Sequence, residues 1–157
     1  MIFKRKKSGK TDYKKRLIYL KSDIPRLTIR KSLKNILVQV IEYMPKGDKI
    51  ITSAHTKELV KNYKWNSKRN TPTAYLLGLL VGKKASKNNI KKVILDSGPK
   101  KPVKGSIVYG FLKGVVDSGL NIPHSKEVFP KEERILGKHI KDFDAKLFEE
   151  VKKKILA

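Results

Sequence analysis

Arg26-Leu27-Thr28-Ile29-Arg30 alternates strictly, with Leu27 and Ile29 on one face and both arginines on the other. A period of two is what a half-buried β-strand requires, because successive side chains point to opposite faces of a sheet. Pro25 sets the start of this strand. Behind it, Asn35 to Tyr43 is apolar and β-branched with Gln39 in the middle, which predicts a more central strand. Pro45-Lys46-Gly47-Asp48 is turn chemistry, and Lys49 to Ser53 then predicts the third strand of an antiparallel meander. A fourth, wholly apolar run, Val93-Ile94-Leu95, ends in Asp96 and is reached through a helical segment. The handedness rule for such crossovers makes it parallel to the strand it joins, here strand 1.

Helical spacing fills the intervals. Thr11 or Asp12 can cap a short basic helix from Tyr13 to Lys21, with Leu17, Ile18 and Leu20 as a partial apolar side. Thr56 to Tyr63 predicts a second helix. Thr71-Pro72 places a capping hydroxyl before a proline and opens a longer one, to about Ser86, that carries Leu76, Leu77, Leu80 and Val81. Its Gly78 and Gly82 have the spacing that lets a helix pack closely, which predicts tight seating on the sheet. Ile107, Val108, Phe111, Leu112 and Val115 form one stripe, and Gly119 stops that helix. In the tail, Ile140, Phe143, Leu147 and Val151 share a face. The fold class expected is α/β (α+β): a mixed sheet of meander plus crossover strand, helices packed on it and a ribonuclease-H-like topology. Residues 1–10 form a basic flexible arm, residues 11–126 the α/β domain and residues 127–157 a charge-balanced helical extension.

Charge then points to a partner. Lys and Arg outnumber Asp and Glu by 30 to 7 over residues 1–126 but only by 8 to 7 over residues 127–157. So large a surplus repels itself and draws the protein to a polyanion, because each cation that neutralises a phosphate releases condensed counterions. With no cysteine, neither a disulfide framework nor a zinc finger is available. The longest uncharged stretch, Asn70 to Gly82, falls short of the ~20 residues of a bilayer span. No apolar stretch follows Met1-Ile2-Phe3-Lys4-Arg5-Lys6-Lys7, so the segment reads as no secretory signal and the expected compartment is the cytoplasm.

Candidate contact residues follow from chemistry. Arg26, Thr28, Arg30, Lys31, Ser32 and Lys34 lie on the outward face of strand 1 and the turn after it. Arginine forks pair with phosphates or stack on bases, while hydroxyls hold register; the alternative is a merely solvated basic strand. In the arm, Lys4, Arg5, Lys6, Lys7 and Lys10 have nothing apolar to pack on except Met1, Ile2 and Phe3. Tyr13 and Trp65, beside basic or polar loop residues, are the stacking candidates. His55, His124 and His139 stand far apart and form no metal set. A two-metal nuclease on such a sheet needs carboxylates on strands 1 and 4. Asp96 ends strand 4, yet strand 1 offers Arg26 and Arg30 instead. Asp96 is expected to brace the loop beginning at Ser97 by accepting backbone hydrogen bonds. No catalytic residue, cofactor, metal or small-molecule substrate is expected.

Several short segments, in order, resemble one known family. They are Lys10-Thr11-Asp12-Tyr13 with Arg16, Pro25-Arg26-Leu27 through Arg30-Lys31-Ser32, Gln39, Arg69-Asn70-Thr71-Pro72, Ala74-Tyr75 and Gly78-Leu79-Leu80. Leu95-Asp96, Gly98, Lys104-Gly105, and Lys113-Gly114-Val115-Val116-Asp117-Ser118-Gly119-Leu120-Asn121-Ile122-Pro123-His124 continue the series to Phe129-Pro130. The chain thereby resembles the archaeal and eukaryotic type of large-subunit ribosomal protein that binds 5S rRNA, the L-eighteen family. The resemblance implies a structural, non-catalytic protein that anchors 5S rRNA in the central protuberance, with large-subunit rRNA and neighbouring ribosomal proteins as further partners and no membrane. It adds Lys14, Lys15, Arg16, Asn35, Arg69, Asn70, Lys100, Lys101, Lys104 and His124 to the expected RNA-contacting residues. A general nucleic-acid-coating protein and a ribonuclease-H-like nuclease are the alternatives.

Overall fold

The computed structural model describes residues 3–66, 69–99, 101–141 and 143–157. Two short N-terminal helices, α1 (Lys4–Lys7) and α2 (Tyr13–Lys21), precede the meander β1 (Arg26–Lys31), β2 (Ile36–Glu42) and β3 (Lys49–His55). Helices α3 (Thr56–Tyr63) and α4 (Thr71–Lys87) lead to β4 (Ile94–Asp96), and α5 (Ile107–Asp117), α6 (Glu132–Ile135) and α7 (Ala145–Leu156) complete the chain. Strands run in the order β3-β2-β1-β4. The meander pairs antiparallel, with Thr28 opposite Gln39 and Val38 opposite Ala54. β4 lies parallel beside β1, Leu27 against Leu95 and Thr28 against Asp96, as the crossover rule requires.

One face of the sheet, with Leu27, Ile29, Val38, Val40 and Ala54, is buried, and α4 packs against β2 and β3. The first turn of α4 is capped by Asn70, whose Oδ1 accepts the Thr73 N–H at 2.9 Å. The expected Thr71 hydroxyl is therefore not the cap; Thr71 is buried, with its methyl beside Gly110. Gly78 and Gly82 also serve a different neighbour from the one expected. They face α5 rather than the sheet: a Cβ on Gly78 would strike the Phe111 carbonyl, and one on Gly114 the Tyr75 carbonyl. Small residues one turn apart form a groove, and a second helix backbone fits that groove more closely than a pleated sheet does.

The tail's helix begins at Ala145, where Asp144 Oδ1 accepts the Leu147 N–H at 2.9 Å. Ile140 and Phe143 thus precede the helix, and the buried stripe is Phe148, Val151 and Ile155, packed toward α4. A single core cluster includes these residues together with the sheet and α4.

Where α4 meets α5, the Tyr75 hydroxyl donates to Asp117 Oδ2 at 2.9 Å, and Lys113 Nζ approaches Oδ1 of the same carboxylate at 2.9 Å. Burial, and then this hydrogen bond, push the phenol above its ordinary value of 10. The folded state keeps a proton that the unfolded chain releases near pH 10, so this stabilisation is full below that pH and is lost as pH rises past it. Tyr75→Phe should remove the alkaline loss while costing about 1 kcal/mol at neutral pH through the missing hydrogen bond. Urea unfolding at pH 8 and pH 11 reads both effects. Parallel alkaline losses in the two proteins would acquit the phenol.

Candidate nucleic-acid interface

The β1–β2 turn is built by its own polar residues. Ser32 N–H donates to the Asn35 carbonyl at 2.9 Å and Asn35 N–H to Ser32 Oγ at 3.0 Å. Arg30, Lys31, Ser32 and Lys34 are exposed around it. Arg69 reaches across from the loop before α4 and donates to the Ser32 carbonyl at 3.1 Å. Asn35, by contrast, is turned inward: its Oδ1 accepts the Thr56 hydroxyl, which in turn accepts the Ile36 N–H. Leu33 stands 91% exposed at the tip between two lysines and a serine. A lone apolar residue in a polar turn is the signal in the sequence that marks it.

On the opposite face of the sheet from α4, α2 lies across a cleft of about 400 Å³. Asp12 Oδ1 accepts the Lys15 N–H and caps the helix. No residue of α2 is buried, and Leu17 and Ile18 remain 56% and 66% exposed. Polar ties hold it. Lys15 Nζ donates to the Gly98 carbonyl at 3.2 Å, and Arg16 Nη2 meets both oxygens of Asp48 at 3.0 and 2.9 Å. Ahead of α2, Phe3 stacks on Tyr13 with centroids 5.1 Å apart, and Arg5 Nε donates to Thr11 Oγ1 at 3.0 Å. Lys4, Lys6, Lys7, Lys10 and Lys14 are exposed.

Arg26 and Thr28 occupy the outward face, but that face is covered at this end. Only 5% of Arg26 and 7% of Thr28 is exposed. Arg26 Nη2 lies 2.8 Å from Asp48 and Nη1 lies 3.5 Å from Asp96, while Thr28 Oγ1 donates to the Gln39 carbonyl. Alternation tells which side chains share a face of a strand, not whether something lies over it. Here α2 and the β2–β3 turn do. The open part of β1 begins at Arg30.

Trp65 departs further from expectation. It is 5% exposed, its Nε1–H donates to Thr73 Oγ1 at 2.9 Å, and its ring meets Phe143 and Phe148 edge-on. It is a core residue; the polarity of its loop neighbours concealed this. Asn70 is committed to capping α4. Lys101 is exposed, Lys104 lies 3.3 Å from Glu127 in solvent, and His124 is exposed with Nδ1 2.8 Å from the Ile122 carbonyl. None of these three lines the cleft. Lys100 lies outside the described residues, as do Met1 and Ile2 of the arm.

Asp96 braces the loop after β4 as expected, its Oδ1 accepting the Gly98 N–H at 2.9 Å. The position where a nuclease would need a second carboxylate is filled by Arg26. Among the described residues no group of three or more His, Asp or Glu could hold a metal ion, and no helix is long and apolar enough to cross a membrane.

The structure thus joins arm, α2, cleft and hairpin turn. Arg5, Lys10, Lys15, Arg16, Arg30 and Lys31 all line the cleft, and Arg69 adds the next loop through Ser32. Such a run of cations, backed by a rigid sheet, can neutralise successive phosphates of one strand. Residues 1–92, which carry every one of these groups, match the model of a family described as ribosomal large subunit proteins 60S L5, and 50S L18. Sheet, basic cleft and sequence match agree, and the chain belongs to this family as a structural constituent of the large ribosomal subunit.

Proposed function

We propose that this protein binds 5S rRNA and anchors it in the central protuberance of the large subunit, without catalytic activity, in the cytoplasm. The observation that carries the reading is the basic run from the arm through the cleft to Arg30, Lys31 and Arg69, built on the residues that match the family. Large-subunit rRNA and adjacent ribosomal proteins are the further partners. A preference for 5S rRNA over random RNA of equal length, measured at one salt concentration, supports it. Equal affinity for the two RNAs and for duplex DNA would reduce the protein to a general coating protein.

Residues 3–10 are exposed throughout, and α1 buries none of its side chains. Deleting residues 1–10 should therefore leave the melting temperature of the free protein nearly unchanged while removing three or four phosphate contacts. The slope of log affinity against log salt should shrink in magnitude by about 2 to 4, at ~0.7 to 0.9 per contact. Salt titrations and melting curves of both proteins check this. An unchanged slope, or a large drop in melting temperature, would show the arm to be structural.

A further inference from the structure

Seven cationic side chains and three carboxylates line the cleft under α2. Two of the carboxylates satisfy backbone: Asp12 caps α2 and Asp96 holds Gly98. Asp48 differs. Its oxygens meet Arg16 at 3.0 and 2.9 Å and Arg26 at 2.8 Å, and among the described residues its side chain serves no backbone group. It projects from the β2–β3 turn with a quarter of its side chain exposed. Arg26 supplies an independent observation. Its side chain is 6% exposed, yet Nε has no hydrogen-bond partner. A buried N–H left unmatched favours any acceptor that can reach it. The two non-bridging oxygens of a phosphodiester carry one negative charge, as a carboxylate does, and meet guanidinium forks in the same paired geometry.

We propose that the Arg16–Arg26 clamp seats one backbone phosphate of the bound RNA, and that Asp48 is the internal anion holding that seat in the free protein. The inference rests on the RNA-binding reading above. Incoming phosphate displaces Asp48 from both arginines and brings an acceptor within reach of the unmatched Nε–H. One anion replaces another, so Arg16 and Arg26 never face each other without an anion between them. Asp48 consequently does two opposed things: it tethers α2 in the free protein, and it competes with RNA.

Asp48→Asn keeps the side chain's size and removes the competing charge. Its affinity for 5S rRNA should rise about fivefold or more, with the salt slope steeper by ~0.7 to 0.9, because the phosphate would now meet cations that no carboxylate had neutralised. In an Arg16→Gln background the same change should give a clearly smaller gain, through Arg26 alone. Glu133→Gln, at an exposed acid outside the cleft, measures the effect of one charge in general. A gain that Glu133→Gln matches, a gain that Arg16→Gln leaves undiminished, or weaker binding by Asp48→Asn overturns the clamp. Inorganic phosphate, followed by the Nε–H resonances of Arg16 and Arg26, should shift those signals at lower concentration in Asp48→Asn than in the wild type. Shifts with phosphate but no change in RNA affinity would make the seat one for a free anion and overturn the RNA assignment. Wild-type protein that fails to prefer 5S rRNA counts against the functional reading. Wild-type preference with no gain from Asp48→Asn counts against the clamp alone.

Discussion

Trp65→Ala should lower the unfolding free energy by about 4 kcal/mol, within the range for truncating a large buried aromatic. The ring sits edge-on to Phe143 and Phe148, so its removal leaves a void between the loop after α3, the first turns of α4 and the tail. Thr73 Oγ1 also loses the indole N–H that now donates to it. Trp65→Phe separates the two losses: most of the packing stays, the hydrogen bond goes, and about 1 to 2 kcal/mol should follow. Trp65 is the chain's one tryptophan, so unfolding is best followed by circular dichroism. A loss below about 1 kcal/mol together with weakened RNA binding would restore the stacking role and refute the core assignment.

Gly114→Ala should be nearly as damaging, at about 3 kcal/mol, the upper end for overpacking a tight contact. The added methyl would meet the Tyr75 carbonyl and, at 3.2 Å, the Gly78 Cα. Both are main chain on α4, so no rotamer change can make room and the two helices must separate. In a domain of this size the expected fall in melting temperature is roughly 6 to 12 °C. Thermal unfolding of the variant beside the wild type decides the matter; a shift of a degree or two would mean that α4 and α5 part easily.

The features that the sequence displayed were local or followed from a rule of topology. Alternation located β1, an apolar β-branched run β2 and turn chemistry β3; the bounds Tyr13–Lys21 and Thr56–Tyr63 hold, and β4 lies parallel to β1 as the crossover rule required of the strand it joins. Arg26, Trp65 and the pair Gly78 and Gly82 escaped because their partners are distant in the chain. Arg26 is buried by Asp48 and Asp96, 22 and 70 positions away, and no pattern within the strand announces them. Trp65 lies in a polar loop and finds its apolar neighbours at Phe143 and Phe148. The Gly78 and Gly82 spacing announced a close approach without naming which element approaches. Arg30, Lys31, Ser32 and Lys34, by contrast, lie at the open end of the hairpin, where local chemistry and exposure coincide.

Every residue of α4 from Thr71 to Gly82 is buried, whereas α2 has none. Opening free energy is thus steeply graded across the molecule: amides in α4 exchange only when the whole fold opens, while α2 can detach by local fluctuation without exposing the core. Unlocking the outer layer costs a few polar ties and only the part-buried contacts of Tyr19 and Leu20. The protein can therefore remould the side bearing α1, α2 and the cleft around an irregular polyanion while its centre stays shut, so that fit to a partner and survival of the fold are governed by different parts of the chain.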